Sequence, residues 1–191
     1  MRLGVTKFAL ALTLTFSFGT SLCETRPSEP DLTQAQISEM MCAQTKCQRN
    51  LHVTLVQKDG STYEHTFPTF PAVVQPVGIL VVAGQTVFVE ADTSDGKLVN
   101  LQAVDSVVHP EKTIIVKLEQ TEDRGMMLTT TNPFDETLKF DMGITPLESD
   151  DLYKTSSCPI LKGSFETWPY PIFQVLLGNG RVVAKDYGLC D

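Results

Sequence analysis

Three Asx-glycine pairs punctuate the chain: Asp59-Gly60, Asp95-Gly96 and Asn179-Gly180. Each stands between two runs of β-type residues. LHVTLVQ precedes the first and TYEHTF follows it. TVFVEAD and KLVNLQAV flank the second, and IFQVLL and RVVAKD flank the third. Asp-Gly and Asn-Gly reach the left-handed backbone that a two-residue hairpin needs, so all three are predicted to join antiparallel strands. TIIVKLEQ, MMLTTT and TLKFDM are further short β-runs, divided by the segment 122–125 and by Asn132-Pro133. About nine or ten short strands, with turns every 8–12 residues, describe an all-β sandwich or barrel. No helical crossover segment separates them, which disfavours a parallel α/β sheet. Pro68, Pro71 and Pro76 are expected between strands, where a missing N–H costs least. The fold expected is mainly β: an antiparallel β-sandwich, immunoglobulin-like in broad architecture, with one short N-terminal helix.

That helix is predicted over 33–44. Thr33 and Gln36 have capping-box spacing, and Ile37, Met40 and Met41 form an apolar stripe. Ahead of it, ETRPSEP (24–30) reads as a flexible leader. The first 23 residues have the layout of a secretory signal peptide: Arg2 and Lys7, then the uncharged run Phe8 to Phe18, then small residues. That run is too short for a membrane span, which needs about 20 apolar residues. Cleavage is expected after Cys23 or Gly19, leaving a single β-sandwich domain over 31–191. Lipid attachment at Cys23 is the competing reading. It is disfavoured because Leu22, not a small residue, precedes the cysteine. Its consequence would be anchoring through one modified terminus.

Loss of Arg2 and Lys7 with the signal takes the formal charge from −8 to −10. No basic stripe is present to neutralise phosphates, so a nucleic-acid partner is excluded from the reading. An anionic membrane surface is disfavoured for the same reason. If Cys23 leaves, Cys42, Cys47, Cys158 and Cys190 remain. An even number in an exported chain reads first as two disulfides. Cys42 with Cys47 and Cys158 with Cys190 is one pairing, and the sequence leaves the other two open. The export route points to a periplasmic or extracellular location.

The search for chemistry yields little. The three histidines are His52, His65 and His109. No G-x-S-x-G elbow accompanies them, and their spacing converges on no nucleophile. Cys42, Cys47, His52 and His65 would count as zinc ligands only if the thiols were reduced and His52 left the polar face of its strand. The Cys42–Cys47 spacing is wrong for a redox pair. After Cys158 there is neither histidine nor methionine, which excludes a blue-copper pattern. Met126, Met127 and Met142 could build a copper site, but the first two are strand neighbours pointing to opposite faces, and at least one of them is read as core. Asp92, Asp95 and Gly96 resemble a calcium loop less than a hairpin turn. The acidic residues from Asp135 to Asp151 read as a solvated face. No cofactor is called for.

The last distinctive run is SFETWPYPIF (164–173). Phe165, Trp168, Tyr170 and Phe173 fall within it, and Pro169 and Pro171 hold it extended. Trp168 and Tyr170 are expected on one face, with Glu166 beside them. As a functional feature this is an aromatic ledge for a protein or glycan partner. As a structural one it is a plug sealing the sandwich, the reading preferred here. The chain is therefore read as an exported, disulfide-stapled, non-catalytic binding or structural module of the cell envelope or exterior. The alternatives are a glycan-active or other hydrolase using loop carboxylates with an aromatic subsite, and an extracytoplasmic metal carrier.

Overall fold

Two of the three Asx-glycine pairs close hairpins, and the third does not. The computed structural model describes Met40 and residues 42–43, 45–188 and 190–191. The expected signal peptide and leader lie outside these residues. So does most of the expected helix, of which Met40 and Cys42 are described and helical.

The described residues form twelve strands. They are β1 (Gln48–Val56), β2 (Thr62–Phe70), β3 (Val74–Gln75), β4 (Gly78–Val82), β5 (Thr86–Ser94), β6 (Lys97–Val104), β7 (Thr113–Gln120), β8 (Met126–Thr131), β9 (Thr137–Pro146), β10 (Tyr153–Thr155), β11 (Gly163–Trp168) and β12 (Ile172–Val183). Every pairing is antiparallel. β1 and β2 make a sheet of their own. The other ten make one sheet, ordered β10-β9-β12-β6-β5-β7-β8-β11, with β4 attached to β12 and β3 to β4. The result is an open, sandwich-like β fold, consistent with the broad immunoglobulin-like architecture expected.

Asp95 and Gly96 both have positive φ, 50° and 70°, and turn β5 directly into β6. At Asp59-Gly60 only the glycine is left-handed (φ 89°), and the Asp59 carboxylate accepts the Ser61 N–H at 2.8 Å. Asn179-Gly180 departs from expectation. β12 runs straight through it for twelve residues. Only Asn179 is left-handed (φ 50°), and the register against β9 slips between Gly178 and Arg181. The pair forms a bulge, where one strand gains an extra residue, and not a turn.

Pro68 also departs from expectation, because it lies inside β2. β2 pairs only with β1, so the missing N–H falls on an edge strand. Opposite it Asn50 is left-handed (φ 51°), and the regular pairing skips from Arg49↔Thr69 to Leu51↔Phe67.

Alternation places Leu51, Val53 and Leu55 of β1 in the core, which they share with Ile79, Val81, Ile114, Val116, Leu118, Phe140 and Leu177. The small sheet is fastened to the large one by a side chain. The Val56 N–H donates to Gln120 Oε1 at 2.8 Å, and Gln120 Nε2 donates back to the Val56 carbonyl at 2.8 Å. The amide thus stands in for one residue of a neighbouring strand.

β9 is covered on both faces. Leu138, Lys139 and Phe140 are consecutive and all buried. Lys139, wholly buried, donates to the Ser157 carbonyl, and its ammonium meets Asp191 Oδ1 at 2.6 Å. Ser157 and Asp191 exchange backbone hydrogen bonds in both directions. The Cys158–Cys190 disulfide clamps those two segments together, and Cys42–Cys47 forms the second bridge. A buried ammonium is tolerable only while it is paired and hydrogen-bonded.

The two bridges close loops with separations of 32 and 5 residues. On the chain-entropy model, replacing Cys158 and Cys190 by serine lowers unfolding stability by roughly 3–4 kcal/mol, and the same change at Cys42 and Cys47 by about 2. Exposure of Lys139 adds to the first loss. Urea denaturation of the two double variants checks the order, and equal losses would contradict it.

Candidate functional site

The aromatic run does not form one ledge. Trp168 ends β11 and is buried, with 8% of its surface exposed. Its indole N–H points at Thr155 Oγ1, 3.4 Å away. Glu166, two residues earlier on the same strand face, accepts the Cys158 N–H at 2.9 Å. Both side chains therefore face the segment 155–158. Tyr170 faces another way. It lines a smaller cleft of about 260 Å³ with Pro146, Leu147 and Glu148, and the Lys58 ammonium lies 5.7 Å from its ring centre. Phe173 joins Tyr63, Phe67 and Phe70 in an aromatic cluster under the small sheet. Only Phe165 stands out into solvent, at 71% exposure.

The histidines are dispersed. His52 is exposed, with Nδ1 3.0 Å from Thr66 Oγ1 and Nε2 3.5 Å from Glu64. His65 stacks edge-on against Phe67. His109 Nδ1 lies 2.7 Å from Glu90 Oε1, and Lys112 holds the other oxygen at 2.8 Å. Hydrogen bonds from Lys112, then His109, keep the Glu90 carboxyl below its ordinary value, and Lys112 is raised in return. Thr113 Oγ1 also donates to the His109 carbonyl. The cluster fastens the 105–112 loop to β5. The Cys42 and Cys47 sulfurs are bonded to each other. Among the described residues no group of three or more His, Cys, Asp or Glu side chains is placed to hold a metal ion.

A recess lies where the sequence promised a turn. Along one edge of β12, Gln174–Gly178 pair with β4, and Arg181 pairs with Lys97 at the start of β6. The two neighbours part at Asn179-Gly180. Between them opens a cleft of about 520 Å³, lined by Val77, Lys97, Leu98, Leu101, Phe140, Asp141 and Arg181, among others. Concave sites of a few hundred Å³ with an apolar floor and a few placed polar groups are the usual form of a small-ligand site.

The bulge builds this opening with three consecutive residues. Asn179 Nδ2 donates to Asp141 Oδ2 at 2.8 Å, and Arg181 Nη1 donates to Asp141 Oδ1 at 2.9 Å. These bonds, Asn179 first, hold the Asp141 carboxyl below its ordinary range. Between them Gly180 leaves the floor open. A Cβ there would come within 2.5 Å of Leu98 and 2.8 Å of Phe140. Gly78, across the fork, is equally constrained: with φ at 154°, its Cβ would lie 1.9 Å from the Leu177 carbonyl oxygen.

Sequence reasoning missed this site. Its one signal was Asn-Gly inside an unusually long β-run, and the hairpin reading absorbed it. No family model, curated protein or solved structure matches the chain.

Two measurements check the assignments outside the cleft. Trp168 is the chain's one tryptophan. Its emission is expected to be blue-shifted and poorly quenched by iodide until the protein unfolds; strong quenching in the folded state would contradict its burial. Glu90 contributes stability fully above its ordinary value of 4.5, and loses it as pH falls through its lowered folded value. The stability gap between wild type and Glu90→Gln should therefore be present near about pH 6 and shrink near about pH 3. Urea midpoints at the two pH values test this, and an unchanged gap would rule it out.

Proposed function

We propose that this chain is an exported, non-catalytic binding module of the cell envelope or exterior, and that it holds its ligand in the cleft between β4 and β6. The cleft itself is the observation that carries the reading. It is a preformed recess in a disulfide-stapled β scaffold, made by the conformation of one strand and not by a loose loop. Two disulfides favour an oxidising compartment, and the first 23 residues favour the route to one.

The ionisable groups around the molecule favour binding over group transfer. Glu90 is held by Lys112 and His109, and Asp141 by Asn179 and Arg181. Glu166 is engaged with a backbone N–H. Each serves as a structural fastener. A general base would instead face a space where a substrate could stand. Trp168, Tyr170 and Glu166, the first candidates for partner contact, serve better as fasteners of 155–158 and as the wall of a minor cleft.

The test has two arms. Full-length chain is expressed in a bacterial host and the extracytoplasmic product is sequenced from its N-terminus. A start at Glu24 with no free thiols, or at Thr20 with the single Cys23 thiol free, is expected; retention of Met1 in the cytoplasm would overturn export. The oxidised product, isotope-labelled, is then screened by NMR against a small-molecule library. Hits are expected to converge on the amides of Leu98, Leu101 and Arg181. Hits that scatter, or gather at Tyr170, would overturn the choice of site.

A further inference from the structure

The cleft between β4 and β6 carries information about what fits it. We infer that its ligand is a small amphipathic anion, with its charged head at Lys97 and Arg181 and its apolar body on Leu98, Leu101 and Phe140. This rests on the reading of the cleft as the binding site.

The chain as a whole is strongly acidic, with a formal charge of −8. The cleft inverts that sign. Two cations, Lys97 and Arg181, and one carboxylate, Asp141, line it. Asp141 is already answered by two hydrogen bonds. Lys154 adds a third positive charge close enough to act on Asp141 from β10. Lys97 is exposed, and its ammonium has no hydrogen-bond or ion-pair partner among the described residues. Arg181 is held in place by the Asp141 oxygen and the Asn179 carbonyl, both through Nη1. One guanidinium fixed in orientation beside one uncommitted ammonium suits a single anionic head.

Apolar surface supplies the second half. Leu98 and Leu101 come from β6 and Phe140 from β9. Val77 is 54% exposed at the rim. A second depression of about 300 Å³ shares Val77, Asp141 and Asn179 with the first and continues over Met142, Leu152 and Leu176. Leu152 is itself 52% exposed. An apolar tail leaving the cleft over Val77 would meet further apolar surface. A neutral ligand would leave Lys97 unused, and a cation would meet two like charges at the rim.

The experiment uses the oxidised, isotope-labelled protein and three probes with an eight-carbon chain, each below its micellar or solubility limit: octanoate, 1-octanol and octyltrimethylammonium. Octanoate should shift the amides of Lys97, Leu98, Leu101 and Arg181 saturably, with the other two at least about tenfold weaker. Lys97→Glu and Val77→Glu alter exposed side chains, and a dispersed spectrum verifies their folding. Both should weaken octanoate by about tenfold or more, while Lys97→Arg retains it. Equal affinity of Lys97→Glu and wild type for octanoate overturns the role of the ammonium. Binding of the neutral or cationic probe in the cleft as tight as that of octanoate overturns the ligand class and leaves the site standing. If no probe saturates there while library hits still converge on the cleft, the class alone is wrong. If those hits also avoid the cleft, the site falls with it.

Discussion

β12 is asked to satisfy three strands at once. On one edge it pairs with β9 from Ile172 to Val183. On the other it serves β4 first and β6 second. A single unbroken strand could not do this without a change of path, because two neighbours cannot occupy the same edge in line without a gap. The bulge at Asn179-Gly180 supplies that change, and the gap is the cleft. The order of the ten-stranded sheet, the burial of β4 and β9, and the recess beside Lys97 and Arg181 all follow from the path of these twelve residues.

Much of the fold was legible in the sequence, and the failures share a cause. β5–β6, β7 and β8 were legible because each alternates and is bounded by a turn signal that acts locally. Asp95-Gly96 needs nothing beyond its own backbone to be a hairpin. Asn179-Gly180 carries the same local signal but is decided by distant residues. Asp141 holds the asparagine, and Leu98 and Phe140 exclude any side chain at the glycine. Pro68 fails similarly, since whether a proline fits a strand depends on whether that strand is an edge. GILVV, all five residues buried as β4, shows no alternation at all, so period-2 reasoning passes over it.

The site was less legible than the fold. Residues conspicuous in sequence, above all Trp168 and Glu166, turn out to secure the segment 155–158. Conspicuous composition draws attention to large aromatics, which are also what a core consumes. The cleft residues are ordinary one by one. Lys97, Leu98 and Leu101 lie some eighty residues before Arg181 in the chain. Only the pairing of β6 with the far end of β12 brings them to one place. Lys139 offers the same lesson in the core: TLKFDM shows a lysine at a position that alternation would assign to solvent, yet the C-terminal segment covers it.

The place of β12 along the chain has a bearing on when the protein can exist. β4, β6 and β9 are made long before the strand that joins them, and the partner of Lys139 is Asp191. Contacts of such long sequence separation form slowly, because a large loop must close before any of them is rewarded. A chain delivered N-terminus first holds its small sheet and its β5–β6 hairpin early. It has no complete core until β12 has arrived. Until then β4, β6 and β9 lack the strand that orders them, so compaction waits on β12 and not on any earlier hairpin.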